Sequence, residues 1–210
     1  MVIASSLQAR PTDRSGRTDL LWLRLLATSD LHAHLFPFNY YTDRREDGVG
    51  LAALAGLVER ARAECPNTLL VDNGDTLQGA PLGDAAVSDL MPEGAIHPMI
   101  AAMNELGYDA ATLGNHDFDF GLEALHRALA AARFPVVLAN AVTPAEGRAF
   151  LPPHVLLDRS LTDREGHPHR LRIGVTGVAP PQITQWGHAQ LAGRIEVAPM
   201  IPAATRAARA

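Results

Sequence analysis

Three short stretches carry the residues best able to do chemistry: Thr28-Ser29-Asp30-Leu31-His32, Asp72-Asn73-Gly74-Asp75 and Gly114-Asn115-His116-Asp117. Asp30 and His32, two residues apart, project to the same side of an extended segment and can grip one cation as a pair. Asp75 has two carboxylate oxygens and can bridge two cations. Asn115 offers a neutral amide oxygen, a ligand for a hard or borderline metal. Oxygen and nitrogen donors without sulfur point to Mn, Zn, Fe or Co rather than copper. Two such ions about 3.5–4 Å apart hold a bridging hydroxide as nucleophile and clamp both ends of an in-line phosphoryl displacement. His116 is then free to protonate the leaving oxygen or to stabilise charge on the phosphoryl group. Asp119, three residues on, is placed to orient that imidazole. Singly, the stretches have plainer readings: Gly74-Asp75 as a turn, and Asn115-His116-Asp117 as the N-terminal cap of a helix beginning near Gly121. Together, each directly after an apolar run, they argue for one composite site.

The elements that must position these residues follow from periodicity. Leu21–Ala27, Thr68–Val71 and Ala110–Leu113 are short apolar runs of the kind that form strands covered on both faces. Between the first two, Leu51, Leu54, Leu57, Val58 and Ala61 recur at helical spacing, with Pro66 as the stop. Strand, helix, strand is the composition of a crossover unit. Pro98 opens a helix running to about Leu106, with Gly107 as its C-terminal cap. A second amphipathic helix covers Gly121–Ala132, with Leu122, Leu125 and Leu129 inward. Pro135–Ala139, Leu151–Leu157 and Leu171–Val178 read as further strands, and Pro152 and Pro153 push the second of these toward an edge. Gln78–Glu93 carries no clear pattern, and Ala203–Ala210 looks like the opening of a helix. The class is α/β. In such sheets sites form beyond the carboxyl ends of the strands, which is where all three stretches fall.

Composition narrows the partners. A net charge of −5 argues against holding a nucleic-acid polymer on a basic face. It leaves room for a small phosphorylated substrate held through metal. The single cysteine, Cys65, excludes an internal disulfide and a cysteine zinc site and reads as an inert thiol. No apolar run reaches the roughly 20 residues of a membrane span. Residues 1–19 read as a disordered leader, and residues 20–210 as one domain. Among other residues, His97 before Pro98 reads as structural, Trp186 as core, and Arg44 and Arg45 as a solvated pair.

The set Asp30-x-His32, Gly74-Asp75 and Gly114-Asn115-His116-Asp117 resembles the calcineurin-like metallophosphoesterase signature in its 5′-nucleotidase branch. A finer likeness is to the 2′,3′-cyclic-nucleotide 2′-phosphodiesterase/3′-nucleotidase group. It is carried by Asn39-Tyr40-Tyr41, Val71–Asp75 with Gln78-Gly79 and Pro81, Ile96-His97-Pro98 with Ala102-Met103-Asn104, Phe134-Pro135, Ala139-Asn140, and Pro180–Ile183 with Trp186. The resemblance runs from about Leu25 to about Val197.

This resemblance implies a sandwich of mixed β-sheets flanked by helices, here incomplete at the C-terminus and lacking a separate nucleotide-binding domain. It implies two divalent metal ions, one held by Asp30, His32 and Asp75, the other by Asp75 and Asn115. His116 is the catalytic, non-ligating histidine, Asp119 completes its dyad, and Asn115 and His116 meet the substrate. The implied reaction is hydrolysis of phosphoester bonds in nucleotides, above all 2′,3′-cyclic nucleotides and 3′-nucleotides. A 5′-nucleotidase or nucleotide-sugar hydrolase is the alternative, and an inactive remnant with weak metal binding is a reading of another class. The family completes its site with downstream histidines, including a Gly-His-x-His element that this chain lacks. His167 and His169 have the spacing but fall too early, on an expected hairpin tip, and His188 does not fit either. The family's usual compartment is the periplasm. No signal peptide is visible, so a cytoplasmic location stays open.

Overall fold

A computed structural model describes residues 21–210 apart from 89 and 93, together with the backbone of residues 2–9. In chain order the elements are β1 (Val2–Ala9), β2 (Leu21–Thr28), β3 (Phe38–Asn39), β4 (Arg44–Arg45), α1 (Leu51–Glu64), β5 (Thr68–Asp72), α2 (Pro81–Val87) and α3 (Pro98–Leu106). They continue with β6 (Ala110–Ala111), α4 (Gly121–Ala130), β7 (Ala141–Thr143), β8 (Arg148–Ala149), β9 (His154–Thr162) and β10 (Pro168–Thr176). The last are α5 (Ile183–Trp186), α6 (His188–Leu191), β11 (Glu196–Val197) and α7 (Met200–Ala207).

The central sheet has the order β1-β2-β5-β6. β2, β5 and β6 are parallel, and their last residues align: Thr28 lies opposite Asp72, and Asp72 opposite Ala111. That register delivers the three reactive stretches to one edge of the sheet. β1 pairs antiparallel to β2, from Val2 opposite Thr28 to Ala9 opposite Leu21, so the sheet is mixed. A strand at this place corrects the disordered leader over its first half. The open edge of β2 presents unpaired backbone groups that a second strand satisfies. Residues 10–20 lie outside the described residues.

One face of the sheet is covered by helices. Leu26 and Leu70 join Leu51 and Val58 of α1, Met99 and Met103 of α3, and Leu122 and Leu125 of α4 in one apolar cluster. Met103 is 1 % exposed, and its truncation to Ala would cost about 2–5 kcal/mol. α1 is tied to the end of α3 by Arg62, whose guanidinium donates to the carbonyls of Leu106 (2.5 Å) and Gly107 (2.7 Å). A cation there complements the helix C-terminus. The other face is apolar along Leu25, Ala27, Val71 and Val137, and borders a cleft of about 420 Å³ that also meets Val175 and Thr176 of β10.

Several expectations need adjustment. The α1 stripe is narrower than its spacing suggests, because Leu57 is 48 % exposed. Trp186, expected in the core, is 62 % exposed at the end of the four-residue α5. The unassigned stretch after Gln78 contains α2, with Pro81 in its first turn. Pro135–Ala139 makes a parallel bridge, Ala111 to Val136, rather than a full strand. The strand expected at Leu151–Leu157 starts later, at His154, because Pro152 and Pro153 cannot donate to a ladder. His97 is structural: it is buried, and its Nδ1 accepts from the Met99 amide at the start of α3.

Candidate metal centre

Beyond the strand ends, the chain continues as two loops running side by side. Asp30 N–H donates to the Gly74 carbonyl (3.0 Å), His32 N–H to Asp75 (2.8 Å) and Ala33 N–H to Thr76 (2.9 Å). These bonds require unusual backbone angles: φ is +57° at Asp30, +46° at His32, +56° at Ala33 and +57° at Asp75. Non-glycine residues adopt this left-handed region at a cost, and it gathers at functional sites. The third stretch is brought in by a close approach of two glycines. A Cβ on Gly74 would lie 2.2 Å from the Gly114 nitrogen, and one on Gly114 would lie 2.2 Å from Asp75 Oδ1. Only hydrogen fits at either position.

The result is compact. One ligand atom from each of Asp30, His32 and Asp75 can be chosen so that all lie within 4.8 Å of one another. His32 Nδ1 faces the Gln78 carbonyl at 2.9 Å, which makes Nδ1 the protonated nitrogen and leaves Nε2 with a lone pair. That Nε2 sits 3.9 Å from Asp30 Oδ1. The Ser29 hydroxyl donates to the Asp30 carboxylate. Asp75 Oδ1 accepts from the His116 amide at 2.7 Å, which fixes how the carboxylate is turned. The His116 ring stands edge-on to His32, with centroids 5.2 Å apart. Its Nδ1 meets Asp119 Oδ2 at 2.8 Å. Through that hydrogen bond, Asp119 raises the His116 pKa above its ordinary value. Asn115 precedes a single 3-10 turn at His116–Phe118 and makes no side-chain capping bond to it, and α4 takes Phe120 as its N-cap. The capping alternative for Asn115 therefore fails.

A profile of the calcineurin-like phosphoesterases matches residues 23–174. The chain belongs to that family. It is 43% identical over 175 residues to a 2′,3′-cyclic-nucleotide 2′-phosphodiesterase/3′-nucleotidase of Yersinia enterocolitica, covering 83% of this chain and 27% of the relative. Against the Salmonella typhimurium protein of the same description, identity is 40% over 196 residues, covering 93% and 29%. The chain thus spans less than a third of the length of these curated relatives. Among solved structures, calcineurin-like phosphoesterase YfkN from Bacillus subtilis superposes with a TM-score of 0.84 at 40% identity, covering 89% of this chain and 57% of that one. The mixed sheets and flanking helices expected from the resemblance are those of the calcineurin-like phosphoesterase fold.

Members of this family bind divalent metal ions, and the donors fit one. Two carboxylates and an imidazole whose second nitrogen is fixed by a carbonyl are a recurrent ligand set for such ions. The other histidine pair with suggestive spacing is elsewhere. His167 lies in the β9–β10 turn and His169 just past it on β10, and Thr162 at the end of β9 exchanges hydrogen bonds with the Asn67 side chain, at the start of β5 (2.7 and 2.9 Å). The cluster lies past the other end of that strand. His188 is exposed on α6. Among the described residues, no helix is long and apolar enough to cross a membrane.

Two buried carboxylates under the site received no role from the sequence. Asp72 accepts from the hydroxyls of Thr28 (2.5 Å) and Thr76 (2.7 Å) and from the Gly74 amide (3.0 Å). Burial pushes its carboxyl up to about 6. Asp117 is 2 % exposed. Its Oδ1 accepts from the amides of Thr76 (2.8 Å) and Leu77 (2.9 Å), and its Oδ2 from those of Asp75 (2.8 Å) and Gly114 (2.9 Å). One local sign was available: an Asp three residues after a glycine readily accepts from that glycine's amide. The three bonds to residues 75–77 have no sequence signal, because they depend on how the loops meet.

Proposed function

We propose that this chain carries the catalytic face of a two-metal phosphoesterase acting on nucleotides, with 2′,3′-cyclic nucleotides and 3′-nucleotides as its substrate class. The observation that supports it most is the convergence of Asp30, His32 and Asp75 within 4.8 Å, next to a histidine held by its own carboxylate. In this reading Asp30, His32 and Asp75 hold one divalent cation and Asp75 and Asn115 a second, drawn from Mn, Zn, Co or Fe. Bound there, such ions supply Lewis-acid charge on the phosphoryl group and a nucleophile at neutral pH.

The protein's own groups divide the remaining work. Asp119 accepts the Nδ1 proton of His116, which leaves Nε2 as the nitrogen that can exchange a proton with substrate. Because that hydrogen bond raises the His116 pKa, the imidazolium persists closer to neutral pH and can give its proton to the leaving oxygen. Asn115 and His116 meet the substrate phosphate from the same loop. The periplasmic location implied by the resemblance is part of the same proposal.

The test is hydrolysis of 2′,3′-cyclic AMP, 3′-AMP and 5′-AMP with added Mn2+, alongside Mn2+ binding followed by electron paramagnetic resonance. His116→Ala should remove at least about 100-fold of the turnover while Mn2+ binding stays within a few-fold. Full turnover in this variant overturns the role of His116. Preference for 5′-AMP overturns the substrate class. One observation favours a second reading, a weak metal binder without turnover: among the described residues only the one three-donor group forms. Mn2+ binding with no hydrolysis of any of the three esters would select it.

A further inference from the structure

Asp117 is a buried acid under the cluster whose oxygens are already committed to the backbone. Each of its oxygens already accepts two backbone amides, at 2.8–2.9 Å. Three of the four donors are consecutive, Asp75, Thr76 and Leu77. Successive amides beginning at a residue with φ of +57° curve into a concave nest, a shape that binds anions. Here the anion is internal. The fourth donor, Gly114, belongs to the other loop and lies where the two backbones pass so closely that neither glycine could carry a Cβ.

We propose that Asp117 is a positioning residue for the metal centre: its carboxylate fills the nest of residues 75–77, ties that loop to Gly114, and so sets the direction of the Asp75 carboxylate. This rests on the reading of Asp75 as a metal ligand. The reasoning is geometric. Asp75 holds a left-handed backbone that an aspartate does not favour on its own, and its amide is one of the four that Asp117 accepts. Its side chain is then turned by the His116 amide, one residue before Asp117. Releasing the carboxylate frees the nest and lets Asp75 rotate away from Asp30 and His32. Asp72, which holds Gly74 and Thr76 from below, supports the same loop but reaches neither Asp75 nor Gly114.

The experiment compares wild type, Asp117→Asn and Leu125→Ala in the full 210-residue chain. Leu125 is a fully buried core residue of α4, and its variant controls for lost stability. Two quantities are read: hydrogen exchange at the amides of Asp75, Thr76, Leu77 and Gly114, and Mn2+ affinity by electron paramagnetic resonance. Asn keeps the shape but turns an N–H2 group toward two donors. All four amides should lose protection and Mn2+ affinity should fall at least tenfold, while Leu125→Ala stays within about twofold of wild type. Unchanged protection, or lost protection with wild-type affinity, overturns the proposal. If Asp117→Asn does not fold, Asp117→Glu carries the same reading, since its carboxylate is displaced by one methylene; wild-type affinity in that variant overturns the proposal. Absence of Mn2+ binding by the wild-type chain would instead sink the metal-centre reading, and the loop-holding role then stands or falls on the four amides.

Discussion

Two places in this molecule gather histidines and carboxylates, and they are built in opposite ways. At the β9–β10 turn, the contacts of the acid are local. Asp163 Oδ1 accepts the amides of Glu165 and His167, both at 2.9 Å, and Oδ2 meets His169 Nε2 at 2.9 Å. His167 Nδ1 lies 3.4 Å from the same carboxylate. The acid is spent on closing a hairpin. At the strand ends, Asp75 comes from a stretch more than forty residues after Asp30 and His32, and the hydrogen bonds go to the other side of each donor group. His32 uses Nδ1 and keeps Nε2, and Asp75 uses Oδ1 and keeps Oδ2. Residue types alone do not distinguish the two groups. What separates them is where the lone pairs are already committed.

The largest effect that would test this contrast comes from the glycines. Gly114→Ala places a Cβ 2.2 Å from Asp75 Oδ1 and 2.8 Å from its nitrogen. Mn2+ affinity should drop at least about 100-fold, equivalent to about 2.7 kcal/mol, with circular dichroism checking the fold. Gly166 in the hairpin also has positive φ (+89°), but nothing lies within 4 Å of its Cβ position. Gly166→Ala should cost only about 1–2 kcal/mol of stability from backbone strain, with metal affinity unchanged. Equal effects of the two changes on metal binding would break the distinction.

A middle-sized effect is expected from the acids. Asp75→Asn should weaken Mn2+ binding at least about tenfold, or roughly 1.4 kcal/mol, and leave hairpin amides unaffected. Asp163→Asn should leave Mn2+ binding unchanged and speed hydrogen exchange at Glu165 and His167. Titration calorimetry and exchange measured on both variants give a two-by-two comparison, and loss of Mn2+ binding on changing Asp163 would contradict the placement of the hairpin.

The smallest effects are in pH dependence, where the two groups have opposite signs. The His116 pKa is raised, first by its hydrogen bond to Asp119. Its pairing therefore contributes fully below the ordinary histidine pKa and is lost as pH rises through the folded value. The Asp163 carboxyl is held well below the usual carboxylate range, first by its bond to His169. That contribution is present above the ordinary carboxylate pKa and is lost as pH falls through the folded value. Nuclear magnetic resonance titration of the His116 ring should show the elevated midpoint returning toward ordinary in Asp119→Asn. A midpoint that does not move would remove Asp119 from the pair.

The parallel strands were readable because each is a short apolar run ending in polar residues, and the helices were readable from spacing with Pro and Gly at their ends. Asp30, His32, Asp75 and His116 were legible for a related reason: each stands just past a strand, where sheet register brings ends together. The support beneath them was not. The partner of Asp117 is a set of backbone amides, and backbone amides look alike in every sequence. β1 was missed because nothing between Val2 and Ala9 predicts the edge against which it pairs. Trp186 was misplaced because an aromatic residue usually finds a core, whereas the four-residue α5 ends before it can turn inward.

The positive φ angles at Asp30, His32 and Asp75 carry a consequence for which mutations these loops can survive. A left-handed backbone admits Gly freely, Asn and Asp at a modest cost, and β-branched residues hardly at all. The loop geometry therefore filters substitutions before metal chemistry does: Asp75→Asn or Asp30→Gly leaves the chain path available, while Asp75→Val closes it. Variants that lose function at these positions should fall into two populations, one folded and metal-free, the other unfolded, divided by the shape of the side chain rather than by its charge.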